Sequence, residues 1–172
     1  KPWGLILFKR NIKSFDQIKK LIISIKKYTK DKKFPILIDE EGLSVSRLSN
    51  IISHNVNANF FGNLYKVNPK IALKIYEIYL ESLCTNLKSI GINFNTVPVL
   101  DVLRNNTNKI IGKRSFSKNE KIVKKLGEIT IRKCHSNNIV TVMKHIPGHG
   151  CSNIDSHLSL PKINLSQRDL NK

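Results

Sequence analysis

The fold is decided by residues 4–39, which read GLILFKRNIKSFDQIKKLIISIKKYTKDKKFPILID. The short apolar runs at the two ends, GLILFKR and FPILID, are typical of buried strands. Between them, apolar residues recur at helical spacing, namely Ile18, Leu21, Ile22, Ile25 and Tyr28. Ser14 with Gln17 three residues later is the capping-box pattern of a helix start. The stretch therefore predicts a strand, a helix and a second strand.

The same alternation continues along the chain. An irregular, Asn-rich stretch precedes a predicted helix over 68–91, which an Asn-Pro pair opens and a Gly closes. The run INFNTVPVLDV (92–102) predicts the third strand. Ser117 with Glu120 makes another capping box for the next helix, and IVTVMKH (139–145) predicts the fourth strand.

Four strands that alternate with three helices predict a parallel sheet and about half of a (β/α)8 barrel, which typically needs about 250 residues. A self-contained doubly wound domain is the competing architecture, but no glycine-rich nucleotide-binding motif follows any strand. We therefore predict an α/β fold of the TIM-type (β/α)8 class, present only as a partial barrel. Because the chain opens almost inside a strand and closes in a helix start, residues 1–172 are expected to be one incomplete domain, truncated at both ends.

The composition is that of a globular protein, with 40% apolar and 24% charged residues. No apolar run approaches the roughly 18 to 20 residues of a membrane span, so we expect no membrane partner. The formal charge of +18 suggests nucleic-acid binding as an alternative. The basic residues are mostly lysines spread along the chain, which favours solvated surfaces over a functional basic patch. We expect no nucleic-acid partner.

The three cysteines, Cys84, Cys134 and Cys151, follow no metal-binding or redox spacing. An odd number without a visible disulfide framework favours reduced thiols in a reducing compartment. We therefore expect a cytoplasmic protein.

Polar or charged side chains follow every predicted strand, among them Asp39, Asp101, Lys144 and His145. The C-terminal ends of parallel strands lie on one face of a sheet, where barrel and doubly wound enzymes place their chemistry. Any single strand can end at a polar residue for no functional reason. Four successive cases favour a functional site.

The segment 142–161, VMKHIPGHGCSNIDSHLSLP, is dense in groups that can transfer protons. Asp155 and His157 are two residues apart, so in an extended segment their side chains emerge on the same side. A carboxylate bonded to one imidazole nitrogen fixes the tautomer and leaves the other nitrogen to move a proton. The pair predicts an acid/base unit, although a coincidence in a surface loop would give the same pattern.

Two other chemistries are compatible with this segment. His145, His149 and His157 with Asp155 could bind a metal, but Pro147 and the neighbouring glycines disfavour the usual helical spacing of zinc ligands. Cys151 could be a nucleophile next to a histidine, but an incidental thiol is commoner. We expect no metal and no cofactor.

The motif KHIPGHG, followed by DSHLSLP, resembles the signature of glycoside hydrolase family 3. The resemblance is to the bacterial beta-N-acetylglucosaminidase branch, which recycles cell-wall fragments. GLILFKRN, LIDEEG with Arg47, VPVLDV and IGKRSF resemble the other blocks of that branch, in the same order and with similar gaps. The resemblance covers practically the whole chain.

This resemblance implies a specific reaction and a set of site residues. His157 would be the general acid/base, with Asp155 as its partner. The substrate-binding positions would be Asp39, Arg47, Arg114, Lys144 and His145. The reaction would be retaining hydrolysis of terminal beta-linked N-acetylglucosamine from peptidoglycan-derived muropeptides, through a covalent glycosyl-enzyme intermediate. We expect a monomer with this small carbohydrate as its substrate.

The chain also departs from the family pattern. The nucleophilic Asp of the family belongs to a later double-Asp block that residues 1–172 do not contain, so this chain alone is expected to be inactive. Leu43 and Ser44 replace a usual Gly-Arg pair, Glu40 a usual Gln, and Lys113 a usual Asp. The alternative is a non-catalytic, degenerate sugar-binding homologue.

Overall fold

The short apolar runs form a parallel sheet in the computed structural model, which describes residues 2–53, 55–163 and 165–170. Within these residues the sheet has four strands, β1 (Leu5–Leu7), β2 (Ile36–Ile38), β3 (Phe94–Asn95) and β4 (Val140–Thr141). They pair in parallel and in chain order, β1-β2-β3-β4. The predicted parallel sheet is confirmed.

The helices are α1 (Phe15–Thr29), α2 (Ala58–Val67), α3 (Pro69–Ile90), α4 (Glu120–Ser136) and the short α5 (Gln167–Leu170). The prediction of an irregular segment before residue 68 is wrong, because α2 lies there. The Phe61 ring is buried 4.5 Å from the Tyr76 ring and 5.0 Å from the Tyr79 ring, centroid to centroid. Tertiary packing on α3 therefore supports α2. No helix in the described part of the chain has the length and apolar character needed to cross a membrane.

The helix ends follow the sequence signals in two cases out of three. In α1 the Ser14 hydroxyl accepts a hydrogen bond from the Gln17 backbone N–H at 3.2 Å, as predicted. The predicted helix over 68–91 is confirmed by α3. The predicted Ser117 cap of α4 is wrong, because the Asn119 side chain accepts from the Lys121 N–H at 2.9 Å instead. The Ser117 hydroxyl accepts from the Asn119 N–H, just before the helix begins.

The two faces of the sheet have different surroundings. One face is covered by the helices, and its buried side chains are Leu7, Ile36, Ile38 and Asn95. The other face carries one residue from each strand in register, namely Ile6, Leu37, Phe94 and Val140. We call it the half-exposed face, since Ile6 and Val140 are 42% and 43% exposed. The Trp3 ring packs edge-on against Phe94 on this side, 5.5 Å away.

The regular strands are shorter than the sequence predicts, but the chain continues in parallel beyond them. The predicted third and fourth strands, 92–102 and 139–145, pair regularly over two residues each. Further along, the Leu100 N–H donates to the Lys144 carbonyl at 2.7 Å, and the Lys144 N–H donates to the Pro98 carbonyl at 3.1 Å. These bonds hold the residues after β3 and β4 side by side at one end of the sheet.

Candidate active site

Side chains that follow three of the strands meet at the C-terminal end of the sheet. Asp39 follows β2, Thr96 follows β3 and Lys144 follows β4. The Lys144 ammonium lies 3.2 Å from Asp39 Oδ1 and 2.9 Å from the Thr96 hydroxyl oxygen. The Thr96 hydroxyl also donates to the same Asp39 oxygen. Parallel pairing thus brings together groups that are more than a hundred residues apart in sequence.

Arg47 reaches the same carboxylate from the loop after β2. Its guanidinium donates to Asp39 Oδ2 at 3.0 Å. The loop itself is held by Glu40, whose buried carboxylate accepts from the backbone N–H groups of Arg47 and Leu48 at 2.8 and 3.0 Å. A buried carboxylate thereby fixes the backbone from which Arg47 projects.

The charges around Asp39 keep it ionised. Burial raises the pKa of the Asp39 carboxyl, but the Thr96 hydrogen bond and the charge of Lys144 outweigh burial. Together with Arg47, they lower this pKa to about 2. Asp39 is therefore a fixed hydrogen-bond acceptor at neutral pH, with two cations beside it.

Glu41 pairs with Arg114, the third cation of the site, and also with Lys144. It accepts both Nε and Nη2 of Arg114, at 2.8 and 2.9 Å, and lies 2.6 Å from the Lys144 ammonium. Burial lowers the pKa of Arg114, but the hydrogen bonds and charge of Glu41 more than compensate, so the pKa is raised. Such a bidentate pair fixes the plane of the guanidinium.

His145 contacts both Arg114 and the buried Asp101. Its Nδ1 lies 2.6 Å from Asp101 Oδ2, and its Nε2 lies 3.3 Å from Arg114 Nη2. The His145 side chain is 33% exposed, whereas the Asp101 side chain is fully buried. The imidazole is therefore supported from the protein interior.

Asp155 and His157 are paired as predicted, but in a turn and not in an extended segment. The imidazole Nδ1 lies 2.8 Å from Asp155 Oδ1, and the His157 backbone N–H donates to the same oxygen at 2.9 Å. These backbone and side-chain hydrogen bonds lower the pKa of Asp155. His157 is 74% exposed and Asp155 22%, so the carboxylate supports a ring that projects outward.

These groups open onto one cavity of about 390 Å³, within the range of small-molecule sites. Six of the seven candidate residues line it, namely Asp39, Arg47, Arg114, Lys144, His145 and His157. Asp155 reaches the cavity through its contact with His157. Cys151 lines a separate cavity with Arg104 and Leu165. In the described ranges, no cluster of three or more His, Cys, Asp or Glu is placed to hold a metal.

Sequence reasoning missed several groups at this cavity. Glu41 and Thr96 line it, and Asp101 supports it from below. His149 also lines it, and the sequence suggests it only as a possible metal ligand. The sequence indicates Asp101 only as a polar strand end, and Glu41 likewise follows the predicted second strand closely. Their adjacency to strand ends was the available signal, but their pairing with Arg114 and His145 depends on tertiary structure.

Comparisons with known proteins agree with this geometry. Residues 3–172 match the family described as Glycosyl hydrolase family 3 N terminal domain. Beta-hexosaminidase A of Pseudoalteromonas piscicida is 33% identical over 176 residues, which cover 98% of this chain and 29% of that protein. Beta-hexosaminidase of Hydrogenovibrio crunogenus is 31% identical, with 91% of this chain and 43% of that protein covered.

A solved structure shows the same fold. NagZ from Neisseria gonorrhoeae, in complex with N-trifluoroacetyl-D-glucosamine, superposes with a TM-score of 0.87 at 30% identity. The likeness covers 98% of this chain and 50% of that one. This chain therefore spans half or less of the proteins it is compared with here. The predicted α/β fold, a partial (β/α)8 barrel, is confirmed.

Proposed function

Because the chain belongs to glycosyl hydrolase family 3, we propose that it supplies the sugar-binding and proton-transfer half of a beta-N-acetylhexosaminidase. The substrate would be a muropeptide derived from peptidoglycan, cut at its terminal beta-linked N-acetylglucosamine. The observation that carries the proposal is the ionised Asp39, held between Arg47 and Lys144 on the cavity that His157 also lines.

The polar groups of the cavity suit a sugar ring. A pyranose presents hydroxyl groups that both donate and accept hydrogen bonds. Asp39 would accept from two such hydroxyls, while Lys144 and Arg114 would donate to their oxygens. Because Glu40 and Glu41 already hold the neighbouring backbone and guanidinium, little side-chain freedom would be lost on binding.

His157 would move the proton in both steps of a retaining hydrolysis. A nucleophilic Asp from outside residues 1–172 would attack the anomeric carbon, and the bond to the glycosidic oxygen would break as His157 protonates that oxygen. Water would then attack the glycosyl-enzyme ester, and His157 would take the proton of that water. Asp155 would stabilise the imidazolium that donates the first proton and that forms again after the second transfer.

We further propose that the protein acts as a cytoplasmic monomer, without a metal or cofactor, and binds neither nucleic acid nor membrane. The free thiols of Cys84 and Cys134, buried 3.8 Å apart, suit a reducing compartment. Cations pair with Asp39 and Glu41, and imidazoles pair with Asp101 and Asp155, which suits acid/base chemistry that needs no metal.

A second candidate function is sugar binding without hydrolysis. Among the described residues, the carboxylates that line the cavity are Asp39 and Glu41. Both form ion pairs with cations, which favours this alternative. Neither is placed as a nucleophile. In this alternative the same cavity would bind N-acetylglucosamine and release it unchanged.

Two measurements on the complete product of the encoding gene distinguish the two functions. Release of nitrophenol from para-nitrophenyl N-acetyl-β-glucosaminide, measured beside calorimetric binding of N-acetylglucosamine, would support the hydrolase. Binding without nitrophenol release would support the sugar-binding homologue. If neither is detected, both candidate functions are wrong.

A further inference from the structure

Asp101 is a buried carboxylate that the proposed reaction does not use. It lies beyond β3, where the chain passes under the cavity. Its Oδ2 is 2.6 Å from Nδ1 of His145, and its Oδ1 accepts the backbone N–H of Gly150 at 3.1 Å. One carboxylate thus contacts a cavity residue with one oxygen and the following loop with the other.

The contacts of His145 determine where its proton lies. Arg114 Nη2 can only donate, so Nε2 of His145 must accept from it across the 3.3 Å that separates them. In a neutral imidazole whose Nε2 accepts, the single proton is on Nδ1, facing Asp101. The 2.6 Å contact between Nδ1 and Oδ2 is therefore a hydrogen bond donated to the carboxylate.

The second contact fixes the start of the loop that carries the Asp155–His157 pair. A Cβ atom at Gly150 would lie 2.2 Å from the Val102 carbonyl oxygen, so the two backbones touch there. The Thr107 hydroxyl donates to the Gly150 carbonyl at 2.5 Å. Asp101 accepts the Gly150 N–H, and Thr107 donates to the Gly150 carbonyl. Hydrogen bonds therefore hold the backbone on both sides of the Gly150 Cα atom.

We propose that Asp101 is a positioning residue, which holds His145 in the tautomer with a proton on Nδ1 and fixes the loop at Gly150. This role rests on the proposed function, since it serves sugar binding by His145 and proton transfer by His157. The carboxylate suits both contacts because each of its oxygens accepts. An amide of the same size accepts at only one end.

The variant Asp101→Asn tests this directly. It must lose one contact, because either the tautomer of His145 inverts or the Gly150 N–H is left without its acceptor. Nitrogen-15 NMR at about pH 8, well above the ordinary histidine pKa, reads the tautomer. The His145 signals are assigned through the variant His145→Gln. Hydrogen exchange at the Gly150 amide reads the second contact.

In the unmodified protein, a protonated Nδ1 and slow exchange at Gly150 are expected. Because both measurements are made on the unmodified protein, they test the proposal even if Asp101→Asn does not fold. A protonated Nε2 in the unmodified protein would overturn the proposal. So would an Asp101→Asn protein that keeps both the tautomer and the slow exchange.

Sugar binding supplies the functional readout. Losing a hydrogen bond to a charged group should weaken binding of N-acetylglucosamine about ten- to hundredfold. The matched control Asp31→Asn changes a carboxylate that accepts from the Lys33 backbone N–H before β2 and does not line the cavity, so it should not change sugar affinity. Unchanged affinity in an Asp101→Asn protein whose His145 tautomer has inverted would overturn the positioning role. If the unmodified protein binds no sugar, the proposed function is wrong, and the NMR result still stands on its own.

Discussion

Asp39 gives the site a defined pH dependence. Its pKa is lowered from the ordinary value of 3.8 to about 2, so its ion pairs are complete above about pH 4. Stability from this residue is present above the unfolded-state pKa and is lost as the pH falls through 2. A shift of this size corresponds to about 2 kcal/mol.

We therefore expect Asp39→Asn to lower the free energy of unfolding by about 2 kcal/mol at neutral pH, with the difference from the unmodified protein shrinking between pH 4 and 2. Urea unfolding at a series of pH values measures this. Glu128→Gln, which removes a carboxylate from the exposed surface of α4, is the control and should have little effect. A constant difference across this pH range would contradict the assigned ion pairs.

His157 is predicted to act on turnover more than on binding. In the complete product of the encoding gene, His157→Ala should lower the kcat for nitrophenol release about 10²- to 10⁴-fold, with a small change in KM. This is the usual contribution of a general acid/base. The loss in kcat/KM, which reports the step that breaks the glycosidic bond, should be smaller for a dinitrophenyl substrate, whose leaving group needs less protonation. His135→Ala is the matched control, because His135 is an exposed histidine in the last turn of α4 that does not line the cavity. Equal kcat in the two variants would remove His157 from its role.

The candidate site could be predicted from sequence where a motif is local. Asp155 and His157 are two residues apart, so their contact needs only a turn. Thr96 and Asp101 carried no such signal, because their partners Lys144 and His145 lie more than forty residues away. Such pairings follow from strand register, which a single sequence does not specify.

At the scale of elements, α2 shows what sequence patterns miss. Asn57 provides no side-chain cap for it, and Gly62 lies in its interior. Both weaken a helix in isolation. The helix forms because Gly62 lets it approach the Phe116 backbone while Phe61 packs on α3. By contrast α1, α3 and α4 have long apolar periods, and these were predicted correctly as helices.

The variant Gly62→Ala tests whether α2 packs directly against the Phe116 backbone. A Cβ atom at this position would lie 1.7 Å from the Phe116 carbonyl oxygen, so the backbones must move apart. Alanine would favour the helix by about 1 kcal/mol, but overpacking costs about 1 to 3 kcal/mol, so net destabilisation is expected. Urea unfolding measures it. Asn63→Ala, at the exposed neighbouring position, is the control, and greater stability in Gly62→Ala would contradict the contact.

At the scale of the molecule, the half-exposed face is a partly exposed apolar surface of the described residues. It is apolar in all four strands, and Trp3 extends it. A parallel sheet is normally covered on both faces. We therefore expect a polypeptide limited to residues 1–172 to bind a hydrophobic dye such as ANS and to self-associate.

The location of this surface can be tested by substitution. The double variant Ile6→Lys with Val140→Lys should reduce both dye fluorescence and association in analytical ultracentrifugation. Ile78→Lys is the control, because Ile78 is 62% exposed on the outer side of α3. An equal reduction by the control would show that the dye and the association report another surface.

The hydrogen bonds at Gly150 also limit how far His157, the proposed acid/base, can move from the cavity. His157 lies seven residues further on, a tether that reaches at most about 25 Å when fully extended. A short tether of this kind gives the imidazole an effective concentration on the order of millimolar over the cavity. Imidazole supplied from solution above about this concentration should therefore restore part of the lost rate of His157→Ala, measured as nitrophenol release. In the proposed reaction, the rate of proton transfer would therefore depend on the length of this segment as well as on the acidity of the imidazole.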